Sequence, residues 1–197
     1  MTYFFYIILF ISLVFTVLLE TIKRIFQIKS IYTRRIAHLF FFLVILISYF
    51  IIKNQESLLI LSIFLAIFCI SYKFKLLSSI HIKEYLTYGE IIYILFFILL
   101  FIFWENNPYV FISSSFVLGF IDPISAVIKK TNKKELKYNL LYSVLCFLIL
   151  SLIAFNFKEF YFTKILIASL LASITDRYSN HGLDNITTPM VVALFLS

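Results

Sequence analysis

Charged residues are scarce in this chain of 197 residues: Asp, Glu, Lys and Arg together make up 14% of it, whereas 62% of the residues are hydrophobic. A soluble domain carries about a quarter charged residues, so too little polar surface remains here to cover a water-soluble core. A lipid bilayer is the solvent that fits such a composition. The composition therefore predicts an integral membrane protein and excludes an ordinary soluble domain.

Glycine and proline are also scarce, with three residues of each. Flexible linkers, low-complexity tracts and collagen-like repeats need many more, so we expect residues 1–197 to form a single integral membrane domain. Cys69 and Cys146 lie inside apolar runs and share no metal-ligand or redox spacing. This predicts two buried packing thiols, with neither a disulfide nor a metal. The chain also lacks the P-loop, Rossmann, zincin and serine-hydrolase motifs, so nothing supports those classes.

Eight apolar runs alternate with short charged clusters along the chain. Each run is long enough, or nearly long enough, to cross a bilayer as a helix of about 20 residues. The pattern predicts an all-α, polytopic transmembrane helix bundle with about eight (seven to eight) spans, the first of them a retained span rather than a cleaved signal. The predicted spans cover residues 3–22, 36–52, 57–72, 88–104, 109–128, 139–156, 160–175 and 186–197.

The basic residues predict the orientation. Of the 17 lysines and arginines, all but Lys53, Lys158 and Lys164 fall in four loops on one side. Cytoplasmic loops carry such an excess, so we expect that side to face the cytoplasm, in the inner or plasma membrane of a bacterium. The net charge then attracts anionic headgroups or a nucleotide, and we expect membrane lipids but no nucleic acid as partners. The predicted cytoplasmic loops are 23–35, 73–87, 129–138 and 176–185.

Two arginines and a histidine open the second predicted span. Arg34 and His38 are four residues apart and share a helix face, with Arg35 three residues from His38. Guanidinium groups offer a planar fork of donors that suits phosphate oxygens. The pattern predicts phosphate binding by Arg34 and Arg35. The alternative is a positive-inside stop signal with an interfacial histidine.

Asp122 is predicted to lie within the fifth span, where a lone carboxylate is costly. Pro123 disfavours helical geometry at the residue before it, and Gly119 adds backbone freedom one turn earlier. A broken helix at membrane depth persists only where it lines a polar cavity or packs inside protein. We therefore predict that Asp122 belongs to a metal or phosphate site. The alternative is a structural kink in which Asp122 caps the new turn.

A polar segment joins the last two predicted spans. Asp176 and Asp184 are carboxylates eight residues apart, and Asn185 adds an amide beside the second. Oxygen ligands of this kind suit Mg²⁺. An N-cap at Asn185 or at one of the following threonines, with Pro189 in the first turn of the last helix, explains part of the segment but not the two aspartates.

Two further acids have local explanations. Glu90 opens the fourth span, where it either faces the same cavity as the other acids or interacts favourably with the helix N-terminus. Glu20 and Arg24 are spaced for an ion pair along one helix, and that pair is our prediction for both.

Together, the three polar segments resemble the CTP-dependent lipid kinase family of dolichol kinase, phytol kinase and fungal-type diacylglycerol kinase, which is distantly related to phosphatidate cytidylyltransferase. The family carries R-K-x-x-H early, then G-D-x-x-A or A-D-x-x-A, and finally an acidic residue followed by G-L-D-N-L-T-x-P and an apolar helix. Order and spacing agree from about residue 20 to the end. The matching residues are Arg34, Arg35 and His38, then residues 122–126, then Asp176 and residues 182–189.

The chain departs from the family after the aspartate segment. Family members carry G-K-x-x-G there, whereas residues 128–134 contain lysines and no glycine. The next family motif is K-x-x-E-G-S. In this chain only its final serine has a counterpart, Ser143. Glycines at these places let backbone amides approach a nucleotide phosphate closely.

The resemblance implies phosphoryl transfer from CTP, as its Mg²⁺ complex, to the hydroxyl of a polyprenol- or phytol-type isoprenoid alcohol or of diacylglycerol. Three alternatives remain open: a phosphatidate cytidylyltransferase-like enzyme, a catalytically degenerate relative that only binds lipid or a partner, and a small transporter. Charges crowded at one face count against transport. The resemblance implies Asp122, Asp184 and Asp176 as Mg²⁺ ligands, Arg34, Arg35, Lys129, Lys130 and Asn185 as phosphate ligands, and His38 or Asp122 as the general base.

Overall fold

The computed structural model describes residues 3–74, 76–80, 88–125, 135–159, 161–179 and 182–197, without the side chains of 135–137. Within these ranges the chain forms α-helices and no strands, which confirms the predicted all-α bundle. The eight helices are α1 (Tyr3–Phe26), α2 (Ser30–Ile51), α3 (Asn54–Phe74), α4 (Gly89–Trp104), α5 (Pro108–Ser125), α6 (Glu135–Phe157), α7 (Phe162–Tyr178) and α8 (Asp184–Leu196).

Five of these helices, α1, α2, α3, α5 and α6, are long and apolar enough to cross a membrane. The other three are shorter: α4 has 16 residues, α7 has 17 and α8 has 13. At 1.5 Å per residue, α8 is about 20 Å long, which is less than the roughly 30 Å of a bilayer's hydrocarbon layer. The chain is thus a helical membrane bundle in which five of the eight predicted spans reach full length.

The bundle exposes many large apolar side chains and buries several polar ones within an apolar core, unlike a soluble protein. Phe10 and Phe155 are 67% and 77% exposed, whereas Ser113 and Ser114 of α5 are fully buried. Outward-facing phenylalanines are favourable where the surrounding solvent is lipid, and polar groups then gather inside the bundle. The burial pattern therefore agrees with the membrane environment that the composition predicts.

Successive helices run in opposite directions. The helix ends that were predicted to lie on the same side of the membrane therefore contact one another. At the end of α1, the Lys23 ammonium donates to the Ser30 hydroxyl at the start of α2, at 2.7 Å, and to the carbonyl of Ser78 after α3. At the opposite end of the bundle, the Trp104 indole N–H donates to the Ser197 hydroxyl at 2.8 Å. The polar segments of the sequence analysis all lie at the first of these two ends.

Glu20 anchors the short segment after α3 to the end of α1. Its Oε1 pairs with Arg24 Nε at 2.8 Å, which confirms the predicted helical ion pair. The same carboxylate accepts from the Ser78 hydroxyl at 2.9 Å and from the Ser79 backbone N–H at 2.7 Å. Glu20 is therefore a structural residue of this end of the bundle.

A π-helical turn, Val117–Ile121, interrupts α5 immediately before Asp122. The Asp122 N–H donates to the carbonyl of Val117, five residues earlier. Gly119 within this turn packs against the side chain of Phe42, where any Cβ would collide with the ring. Such turns rotate the following residues relative to a regular α-helix, and here they set the direction of Asp122.

The predicted break of the helix at Asp122 is wrong. Asp122 has helical dihedral angles, φ −59° and ψ −48°, and α5 continues through Pro123 to Ser125. A proline in a helix lacks an N–H and crowds the carbonyl four residues earlier, which here belongs to Gly119. The wider π turn at that position accommodates the ring, so the helix does not end.

Three smaller predictions also need correction. The last helix begins at Asp184 after the N-cap Leu183, without a side-chain cap, and Pro189 lies inside it. The proposed N-cap at Asn185 or a following threonine and the predicted place of Pro189 in the first helical turn are therefore both wrong, because Asp184 already starts the helix. Cys69 is exposed on the outer surface rather than buried. An apolar run does not distinguish a lipid-facing position from an interior one.

Candidate functional site

Three carboxylates from three helices converge at the end of the bundle that carries the basic residues. Asp122 lies near the end of α5, Asp176 in the last turn of α7, and Asp184 at the start of α8. One oxygen from each lies within 4.8 Å of the other two. Asp122 and Asp176 are 7% and 4% exposed, and Asp184 is half-buried. The structure therefore brings together the three residues that were predicted to bind Mg²⁺.

The turn between α7 and α8 places two of these carboxylates side by side. Asp176 was expected in a loop, but α7 continues through it to Tyr178, so a helix holds its side chain. Gly182 then has a φ angle of +89°, a backbone conformation that residues other than glycine rarely adopt. Asp184 follows in the first turn of α8, where the helix dipole favours a negative charge.

Arg35 contacts the cluster directly. Its Nη1 lies 2.8 Å from Asp122 Oδ2, and the two side chains are 19% and 10% exposed. The Ser125 hydroxyl donates to the backbone carbonyl of Asp122 at 2.8 Å and tightens the end of α5. The guanidinium of Arg35 thus neutralises part of the cluster's charge and keeps some contact with solvent.

Tyr138 holds the second carboxylate. Tyr138 lies near the beginning of α6, and its buried hydroxyl donates a hydrogen bond to Asp176 Oδ2 at 2.6 Å. The sequence analysis did not single out Tyr138. Its neighbours in the chain do not distinguish Tyr138 from the other tyrosines, because the contact depends on how α6 packs beside α7.

Arg34 points to a different acid from its neighbour. Its Nε lies 2.9 Å from Glu90 Oε1, and the side chains of this pair are 9% and 2% exposed. Adjacent helix residues point about 100° apart, so Arg34 and Arg35 reach separate carboxylates. Of the two predicted positions for Glu90, the structure combines both: it lies in the first turn of α4 and it faces the interior.

Three elements pack closely around the start of α4. The guanidinium of Arg34 occupies the space where a Cβ on Gly89 would stand. A Cβ on Gly182 would lie 2.6 Å from the Gly89 Cα, so the two backbones are nearly in contact. The Asn185 amide donates to the Gly89 carbonyl at 2.6 Å. Asn185, predicted to bind phosphate, is therefore engaged in joining α8 to α4.

His38 lies in the interior, one helical turn from Arg34, and is 3% exposed. Its ring stacks on Tyr93 with centroids 4.4 Å apart, and the Tyr93 hydroxyl donates to the His38 carbonyl at 2.8 Å. Neither ring nitrogen of His38 has a hydrogen-bond partner among the described residues. Each nitrogen can therefore form a hydrogen bond with a group that comes within reach of it.

The donor set and charge balance of the site fit a divalent cation. Four carboxylates face only two guanidiniums, which leaves an excess of two negative charges within this set of six side chains. Asp184 Oδ1 is buried and has no hydrogen-bond partner in the described part of the chain. The three aspartate oxygens lie within 4.8 Å of one another, and oxygens around one Mg²⁺ are about 3.0 to 4.2 Å apart, so the cluster is close to the separations that one ion requires. The six residues are Asp122, Asp176, Asp184, Glu90, Arg34 and Arg35.

The two lysines with a predicted phosphate role, Lys129 and Lys130, lie outside the described residues, so that prediction stands as it was. Comparison of the chain with protein-family models, with curated proteins and with solved structures finds no match. The geometry of the site and the motifs in the sequence are therefore the observations that bear on function.

Proposed function

We propose that this protein is a CTP-dependent kinase, embedded in the inner or plasma membrane of a bacterium, that phosphorylates a lipid alcohol at the cytoplasmic face. The convergence of Asp122, Asp176 and Asp184 beside Arg35 carries the proposal. These residues lie at the end of the bundle to which the excess of basic residues assigns the cytoplasm. At that depth, a nucleotide from the cytosol meets the hydroxyl of a lipid.

Phosphoryl transfer suits a site made of charges rather than of covalent nucleophiles. The lipid hydroxyl oxygen forms a bond to the γ-phosphorus, the bond from that phosphorus to the bridging oxygen breaks, and CDP leaves. Mg²⁺ held by Asp122, Asp176 and Asp184 would neutralise the phosphate oxygens. Arg35, the more exposed of the two arginines, contacts a phosphate oxygen through its fork of donors.

The proton of the attacking hydroxyl needs an acceptor in the same space. His38 supplies a ring nitrogen without another partner, and stacking on Tyr93 fixes the plane of the ring. A general base must lie within hydrogen-bond reach of the proton that it removes. We assign this role to His38, since Asp122 already pairs with Arg35.

The test is turnover by the purified protein in detergent with γ-labelled CTP and a panel of acceptors: a polyprenol, phytol, diacylglycerol and phosphatidate. We expect label to appear in a lipid monophosphate only when Mg²⁺ is present, and to disappear when the metal is chelated. Release of the label as pyrophosphate in the presence of phosphatidate, with an unlabelled CDP-lipid as the second product, would instead favour the cytidylyltransferase. Absence of turnover with every acceptor would favour a relative that only binds lipid.

A further inference from the structure

Glu90 is the most deeply buried acid of the site, and the three-aspartate cluster does not include it. Its side chain is 2% exposed and pairs with Arg34 at 2.9 Å. A buried carboxylate is costly and persists where it is paired or has a function. The pair lies beside the start of α8, because Asn185 bonds the backbone of Gly89 next to Glu90.

The Arg34 guanidinium also lies close to the start of α8. It packs on Gly89, whose backbone is nearly in contact with Gly182, two residues before Asp184. Asp184 Oδ1 is buried without a hydrogen-bond partner among the described residues, so it is an acceptor that a guanidinium could occupy. If Arg34 turned to Asp184 while Arg35 stayed on Asp122, two of the three cluster carboxylates would be paired with arginines. A cation would then have to displace both.

We propose that Glu90 is a positioning residue, which holds Arg34 away from Asp184 and so keeps the three-aspartate cluster open to a divalent cation. This inference rests on the proposed function, since it assumes that the cluster binds the metal of the reaction. Glu90 acts through Arg34 and touches no reacting group. Residues that orient metal ligands from outside commonly change metal affinity by about 10- to 100-fold when they are replaced.

The experiment measures Mn²⁺ binding to the purified full-length chain in detergent, without nucleotide, by electron paramagnetic resonance. We expect Glu90→Gln to raise the dissociation constant for Mn²⁺ about tenfold or more. The double variant Arg34→Gln/Glu90→Gln removes the competing guanidinium as well, so its affinity should return to that of the wild type. Glu56→Gln is the matched control: Glu56 is also a buried glutamate in the first turn of a helix, α3, and its replacement should leave Mn²⁺ affinity unchanged.

Unchanged affinity in Glu90→Gln would overturn the inference. A double variant that binds Mn²⁺ as weakly as Glu90→Gln would also overturn it, because the effect would not pass through Arg34. If Glu90→Gln does not fold, the Mn²⁺ affinity of the double variant becomes the test. That variant is expected to fold, because removing both charges of a buried pair is tolerated better than removing one. Wild-type protein that binds no Mn²⁺ would defeat the proposed metal site together with this inference, whereas the other failures concern Glu90 alone.

Discussion

Replacing Asp122 with asparagine separates the charge of this side chain from its shape. Asparagine keeps an oxygen that accepts a hydrogen bond from Arg35, whose Nη1 lies 2.8 Å from the carboxylate. The acceptor loses its charge while the Arg35 donor keeps its own, so we expect the free energy of unfolding to fall by only about 1–2 kcal/mol. The protein should therefore still fold and insert.

Turnover should respond much more strongly than stability. A metal contact stabilises transition-state charge by several kcal/mol, and each 1.4 kcal/mol is a factor of ten in rate. We expect Asp122→Asn to lower the rate of label transfer from CTP by about 100- to 1,000-fold. The control is Glu105→Gln at the far end of α4, which should leave the rate unchanged. Near-wild-type turnover in Asp122→Asn, measured where the parent is active, would show that Asp122 has only a structural role.

Three further predictions follow from the geometry of the same end of the bundle. Gly182→Ala should cost more than about 1 kcal/mol of unfolding free energy, because φ is +89° and the new Cβ would lie 2.6 Å from the Gly89 Cα; an unchanged melting temperature would contradict this. Tyr138→Phe removes the 2.6 Å hydrogen bond to Asp176 and should weaken Mn²⁺ binding about tenfold, so equal affinity would count against the donor's role. Single cysteines at positions 129–134, within the predicted cytoplasmic segment and in a background without the two native cysteines, should react with an impermeant reagent only after cells are permeabilised. Labelling from outside would reverse the orientation.

The helices of the fold were predictable because the sequence separates apolar runs from charged clusters. A charged residue inside a span is costly, so the few that occur, such as Asp122, mark the site. Asp176 and Asp184 were singled out on another ground, as two carboxylates with a neighbouring amide in the polar segment between the last two spans. The alternating direction of the helices then brings these residues to one end of the bundle.

The contacts between helices were not predictable from the sequence. In a membrane bundle the lipid-facing and interior surfaces are both apolar. The spacing of apolar residues along a helix is therefore only a weak guide to which side faces a neighbouring helix. The partnership of Arg34 with Glu90, and that of Tyr138 with Asp176, depend on packing between helices distant in the chain. The π turn before Asp122 was also missed, since Pro123 indicated a break rather than a widened turn.

Under the proposed function, Asp122, Asp176 and Asp184 together bind one divalent cation. The most direct measurement is an anomalous difference map from crystals of the protein grown with Mn²⁺ as a substitute for Mg²⁺. We predict one peak about 2.1 Å from carboxylate oxygens of at least two of these aspartates. An ordered cluster with no peak between these oxygens, or a peak bound only by other residues, would contradict the account.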